Sequence, residues 1–288
     1  MSFQPDYRHM VQVLNNRRPA RLPVYEHIIS PVIMEKILGT RFASLLDGDE
    51  KDLAEFFKQY CRFFKEMTYD TVSFEVCITE ILPGHGAITG GIGPIQTRQD
   101  FERYPWDELP GRFWEHAGKK FEMLAKSLPE GMKALGGVGN GVLEISEDLV
   151  GFEHLAYMRA DDPELFSDLY GKIGDLMVEI WQVFLQSYAT DFAVCRFGDD
   201  LGFKTSTLVS PAILRKYVFP QYARVIDQIR GAGKLFLWHS CGNIFAIMED
   251  TIRLGIQAKH SNEDVIAPFD RWIELYGDRI ALLGGVDV

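Results

Sequence analysis

The chain has 288 residues, of which 47% are hydrophobic and 25% charged, with a formal net charge of −11. That length suits one large domain or two small ones, and the acidic balance, which repels phosphate backbones, argues against a nucleic-acid partner. No apolar run approaches the roughly 20 residues that span a bilayer, and the polar stretch Met1–Arg18 lacks a signal-peptide core, so a cytoplasmic protein with no membrane segment is expected.

Short apolar, β-rich runs recur along the chain at Leu22–Tyr25, Thr71–Val76, Ala134–Val138, Phe192–Phe197, Leu235–Trp238, Ile256–Ala258 and Ile280–Val286. They are continuous rather than alternating in hydrophobicity, as parallel strands buried on both faces are. Helical patterns lie between them. Leu53, Phe56, Phe57, Tyr60, Phe63, Phe64 and Met67 mark one helix. A second opens at Asp161-Asp162-Pro163-Glu164 and carries Leu165, Leu169, Ile173, Leu176, Ile180 and Phe184 at helical spacing. A third opens at Ser210-Pro211, where Pro220 is expected to kink or end it before a continuation to Gly231. A fourth runs from Pro268 to Gly277. The glycines of Gly84–Gly93 read as a hairpin after the second strand, and Gly136–Gly141 as a strand end that a ligand could approach. Seven strands alternating with helices mean a parallel sheet. The absence of a phosphate fingerprint after the first strand favours a closed barrel over a dinucleotide fold.

In a parallel barrel the side chains that do chemistry gather where strands end. That rule selects Glu26 and His27, Glu75 and Cys77, Asn140, Asp199 and Asp200, His239 and Cys241, His260 with Asn262 and Glu263, and finally Asp287. His239 and Cys241 form the sharpest pair. Residues i and i+2 of an extended chain point to one side, so an imidazole and a thiol could face one zinc ion, with Gly242 allowing a tight turn after them. The alternative is a core histidine beside a buried thiol. Glu75, Asp199 and Asp287 are candidate catalytic acids, and His27, Asn140, Asp200 and His260 candidate substrate contacts. Two adjacent acids after a buried strand cannot both be core residues without partners. The other cysteines, Cys61, Cys77 and Cys195, form no C-x-x-C pair and read as thiols in a reducing compartment.

Six segments together carry a family resemblance: Phe197-Gly-Asp-Asp-Leu-Gly202, Ser210-Pro211, Phe219-Pro220, His239-Ser-Cys-Gly-Asn243, Tyr276-Gly-Asp-Arg-Ile280 and Gly284-Gly-Val-Asp287. The chain resembles the uroporphyrinogen decarboxylase superfamily, most closely its corrinoid-dependent methyltransferases. The resemblance implies a (β/α)₈ TIM-type barrel. It also implies zinc on His239 and Cys241, completed by a later cysteine, and methyl transfer between a small-molecule donor or acceptor and a corrinoid carried by a partner protein. Homodimers are common in such barrels. Uroporphyrinogen decarboxylases carry an arginine-rich segment after the first strand, whereas this chain has Glu26-His27-Ile28-Ile29-Ser30 there, which argues against porphyrin decarboxylation. The rivals are a lyase acting on a carboxylated substrate and a barrel that binds a ligand without turning it over.

Eight strands close such a barrel, and the seventh here ends near Val286. Residues 1–288 therefore read as one barrel domain that is C-terminally incomplete, lacking the eighth strand and last helix, about 50 residues in all. A gap between the strands holding Val24 and Leu283 is expected.

Overall fold

A computed structural model describes residues 3–286. Its sheet has six parallel strands: β1 (Thr71–Cys77), β2 (Lys133–Gly139), β3 (Phe192–Gly198), β4 (Leu235–His239), β5 (Ala258–His260) and β6 (Ala281–Leu283). Each strand pairs with the next in sequence, β1-β2-β3-β4-β5-β6, with no reversal of order. A doubly wound sheet reverses direction at a switch point and a barrel does not. This is the strand order of a (β/α)₈ barrel wall, with helices in every connection.

Two cores follow from the alternation of side chains across each strand. Outward residues such as Val72, Phe74, Cys195, Phe197, Phe236 and Trp238 pack against the helices. Inward residues Leu135, Val194, Leu237, Ala258, Ala281 and Leu283 fill the barrel floor, which Met10 and Leu14 of the helix Arg8–Leu14 close from below. The helices start as their sequences dictate. Asp49 caps Glu50–Glu66 by accepting from the amides of Lys51 and Asp52, and Asp162 accepts from the Leu165 amide at the head of Pro163–Ser187.

Two sequence expectations need correction, and a third, that Pro220 kinks or ends its helix, is narrowed. Leu22–Tyr25 is not a strand of the sheet. Residues 21–30 are extended and alternate strictly between half-buried and exposed positions, and they are held by side chains rather than a backbone ladder. The apolar run is genuine, but half of it (Leu22, Val24) faces outward. The Gly84–Gly93 segment is not a hairpin. It folds through a short 3₁₀ turn, Ala87–Thr89, that Asp148 clamps by accepting from the amides of Gly86 and Ile88. Pro220 does not end its helix. A π-helical turn over Leu214–Val218 precedes Phe219–Gly231 and takes up the missing amide and the ring of Pro220.

The outer strands β1 and β6 do not pair with each other, and the extended residues 21–30 run along the β1 side of the mouth. The anchor of this segment is ionic. Arg21 Nη1 donates to Asp70 Oδ2 at 2.6 Å, and the Asp6 amide donates to Asp70 Oδ1 at 2.7 Å. Asp70 is fully buried. Among the described residues, no helix is long and apolar enough to cross a membrane.

Arg21→Met should leave the buried Asp70 carboxylate with little more than one backbone donor and lower stability by about 3 kcal/mol. Urea denaturation read by circular dichroism measures this, and a change below about 0.5 kcal/mol would show that the anchor is dispensable.

Candidate active site

The upper interior of the barrel is polar, and a buried arginine organises it. Arg196 lies on an inward position of β3 and is fully buried. Its Nε and Nη2 donate to Glu75 Oε2 at 3.0 and 2.8 Å. Its Nη1 donates to Ser73 Oγ at 2.7 Å, Tyr25 Oη at 2.9 Å and the His27 carbonyl at 3.1 Å. A carboxylate placed inside an apolar strand thereby has its partner, and Glu75 becomes half of a buried pair rather than a free acid. Its second oxygen, Oε1, lies 3.7 Å from His27 Nε2.

Above this pair sit three imidazoles. His239 and His260 are register neighbours on β4 and β5, and their Nδ1 atoms are 2.8 Å apart, a hydrogen bond between rings. His27 reaches in from the extended segment and stacks on His239, with ring centres 3.9 Å apart and planes 18° from parallel. Burial holds all three neutral at pH 7. It pushes His239 and His260 down to about 3, reinforced by neighbouring positive groups, and depresses His27 further, with the Arg196 charge adding to the effect.

Cys241 and Asp200 complete the mouth. The backbone carries them there in a particular way: Gly242 adopts φ +79° and lies so close to the Gly202 backbone that a β-carbon would come within 2.2 Å of it. The Cys241 amide donates to Asp200 Oδ1 at 2.8 Å. Cys241 Sγ lies 3.4 Å from His239 Nε2, and Asp200 Oδ1 lies 3.6 Å from the same nitrogen. Burial, with the Asp200 charge beside it, pushes the Cys241 thiol up to about 11.

Among the described residues, two sets of donors are close enough to share an ion: His27, His239 and His260, and Asp200, His239 and Cys241. Ring geometry separates them. An imidazole lone pair lies in the plane of its ring, so the stacked His27 and His239 direct theirs along parallel planes that do not converge. In the second set the three atoms meet around His239 Nε2. Donors bound at zinc distances in a tetrahedral arrangement lie roughly 3.4–3.6 Å apart, which matches the separations from His239. His239 Nδ1 is then free to bond His260, which takes the place that a carboxylate, carbonyl or water usually fills behind a metal-bound histidine.

Other sequence candidates are placed differently. Asp199 is fully buried and lines no part of the pocket. It accepts from the Leu143 amide (2.9 Å), the Glu144 amide (2.9 Å) and Tyr222 Oη (2.6 Å), and a β-carbon on Gly141 would overlap it at 2.1 Å. Gly141 therefore makes room for this carboxylate, while Gly136, Gly137 and Gly139 make room for the Phe74 backbone, the Phe184 ring and Cys77. Burial raises Asp199 to about 6 against the pull of those donors. Asn140, at φ +66°, is turned into the structure, accepting from Thr79 and donating to Glu144. Asp287 lies outside the described residues.

The residues that sequence reasoning missed are Arg196, Tyr25 and the acids Glu144 and Glu147. Arg196 was visible as the one charge in Phe192–Phe197, the natural partner for Glu75. Glu147 has a fully buried Oε1 with no hydrogen-bond partner, and burial raises it to about 8.

The cavity at the mouth is about 500 Å³, with Tyr25, His27, His239, Cys241 and His260 at its polar end. On the side between residues 22–28 and β6 it is rimmed by Leu22 and Val286, 82% and 79% exposed. The sequence matches the uroporphyrinogen decarboxylase (URO-D) family over residues 9–288. The chain belongs to this family. No curated protein matches it. Among solved structures it is similar to a methyltransferase from Methanosarcina mazei, with a TM-score of 0.72 and 14% identity over 96% of this chain and 81% of that one. At that identity the likeness establishes the shared fold.

Asp199→Ala should destabilise the protein by about 3 kcal/mol, since it strands the Leu143 and Glu144 amides and the Tyr222 hydroxyl. An inactive variant of unchanged stability would return Asp199 to a catalytic role. Glu147 binds its proton more tightly folded than unfolded, so its contribution to stability is present below the ordinary glutamate range and is lost as pH rises toward about 8. Urea midpoints measured from pH 5 to 8 should fall less steeply in Glu147→Gln than in the wild type, and equal slopes would refute the assignment.

Proposed function

We propose that this protein is a zinc-assisted, corrinoid-dependent methyltransferase, moving a methyl group between a small substrate and a corrinoid carried by a separate protein. The observation that carries the reading is the convergence of Asp200 Oδ1 and Cys241 Sγ on His239 Nε2. A soft thiolate, a neutral imidazole and a carboxylate are a zinc donor set of the catalytic kind, with three protein ligands and one position left for a substrate. Zinc there would supply Lewis acidity, holding a sulfur nucleophile as its thiolate at neutral pH or polarising a methyl donor.

The residues of the chain have separable tasks. Cys241, a thiol when no cation is near, would lose its proton on binding the ion. Asp200 would bring a negative charge and, through the Cys241 amide, fix the loop that carries the sulfur. His260 would hold the His239 ring in one tautomer. His27 would cover its face and keep water from one side of the donor set. The apolar rim at Leu22, Ile28 and Val286 suits a flat, largely apolar group presented by a carrier protein. The fold of the Methanosarcina mazei methyltransferase supports a transferase reading, and the four cysteines, all free thiols, suit a cytoplasmic location.

The lyase reading is less well supported. Arg196 has all three of its nitrogens engaged by Glu75, Tyr25, Ser73 and the His27 carbonyl, and so is poorly placed to grip a substrate carboxylate.

Protein prepared without chelator should carry about one zinc per chain by elemental analysis. Cys241→Ser and Asp200→Ala should each lower occupancy sharply, and the wild type should change the absorbance of added methylcobalamin in the presence of a thiol. Full occupancy in Cys241→Ser, or no zinc in the wild type, would sink the metal assignment. Turnover of a porphyrinogen carboxylate without corrinoid activity would reverse the choice of reaction.

A further inference from the structure

The segment that follows β5 contains two features that are unfavourable taken singly. Ser261 has φ +131°, a region that a residue with a β-carbon rarely occupies and that costs on the order of 1–3 kcal/mol. Glycine would remove that cost, yet the position holds serine, and it is 2% exposed. Two residues earlier, Lys259 is also 2% exposed. Its ammonium donates to the Ser261 carbonyl and lies 4.4 Å from the centre of the Trp272 ring. Burying the ammonium is costly in its own right, and the cost is only partly offset by the carbonyl, the aromatic face and the nearby Glu263 and Asp200 charges.

Both features converge on one outcome. With its carbonyl drawn back to Lys259, Ser261 turns its hydroxyl toward the mouth, where Oγ lies 3.7 Å from Cys241 Sγ. The same segment braces the cysteine loop along its backbone, since the Gly242 amide donates to Glu263 Oε1 at 2.9 Å and the Ser240 amide to the His260 carbonyl at 3.1 Å. Those contacts place the chain but not the sulfur, whose side chain has a choice of staggered positions about χ1. The Ser261 hydroxyl favours the one that brings Sγ to 3.4 Å from His239 Nε2.

We propose that Ser261 is a positioning residue for the metal-binding thiol. Buried Lys259 holds it in its strained conformation, and its hydroxyl keeps Cys241 Sγ aimed at the site shared with His239 and Asp200. The inference rests on the metal-site reading above and adds to it a residue that coordinates nothing itself. Loss of the hydroxyl releases one staggered rotor and one hydrogen bond, which predicts zinc binding weaker by roughly three- to tenfold.

The test compares the full chain with Ser261→Ala and Ser261→Gly. Zinc affinity is read by competition with a chromophoric chelator, the thiolate-to-metal charge-transfer band by loading Co²⁺, and folding by the urea midpoint. Both variants should bind zinc several-fold more weakly and show an altered Co²⁺ band. Ser261→Gly, relieved of its backbone strain, should hold or raise the urea midpoint while still losing affinity. A purely structural role for Ser261 would not move affinity and stability in opposite directions. Lys259→Met, which keeps the bulk and removes the clamp, should weaken zinc by a similar factor. If the wild type binds zinc and both Ser261 variants bind it equally well with an unchanged Co²⁺ band, the positioning role is overturned and the metal site stands. If the wild type binds neither ion, the metal-site reading falls and this inference falls with it.

Discussion

The guanidinium of Arg196, buried inside the barrel, is the constraint on which the upper half of this structure depends. A charge in that position is tolerable only with a counter-charge and saturated donors. Meeting that demand ties together β1 through Glu75 and Ser73, β3 through Arg196 itself, and the N-terminal segment through Tyr25 and the His27 carbonyl. The last of these matters most. Residues 21–30 have no backbone ladder to a strand, so polar contacts within the barrel and the Arg21–Asp70 anchor below set where His27 lies. The same positive charge helps keep His27 and His239 unprotonated, which is the state an imidazole must be in to donate a lone pair.

A division of labour follows at the mouth. Of the two acids after β3, Asp199 turns away from the mouth and ties the head of the helix Val142–Val150 to Tyr222, while Asp200 turns to the loop carrying Cys241. One residue's difference in position separates a structural carboxylate from one poised to hold a cation. Neutral imidazoles, a thiol and a single half-exposed carboxylate form a site with little charge of its own until a cation arrives.

The parallel strands and their order were legible because strands buried on both faces leave continuous apolar runs, and the His239–Cys241 pair was legible because i and i+2 share a side in an extended chain. The first predicted strand misled because apolar content does not report pairing: Leu22 and Val24 belong to an extended segment with one face outward. The roles of Asp199 and Asp200 could not be told apart, since the distinction rests on Gly141 and Tyr222, remote in sequence and brought near by the fold. Arg196 could have been inferred from Glu75, because two opposite charges at inward positions of buried strands, here β3 and β1 with β2 between them, solve each other's burial. Ser261 could not, because its significance lies in a backbone angle.

The π-helical turn at Leu214–Val218 also bears on the site. A π turn holds one residue more than the α-helical turn it replaces, and each residue advances a helix by about 100°. The surplus residue therefore sets the phase of everything after it, Tyr222 included. With that residue deleted the helix would still form and still present an amphipathic face. Its polar and apolar stripes would be rotated by about a quarter turn, and the phenol that now meets Asp199 would point along the barrel wall. Sequence length in this stretch is thus a dial on the orientation of the Tyr222 side chain and on what stands behind the buried Asp199.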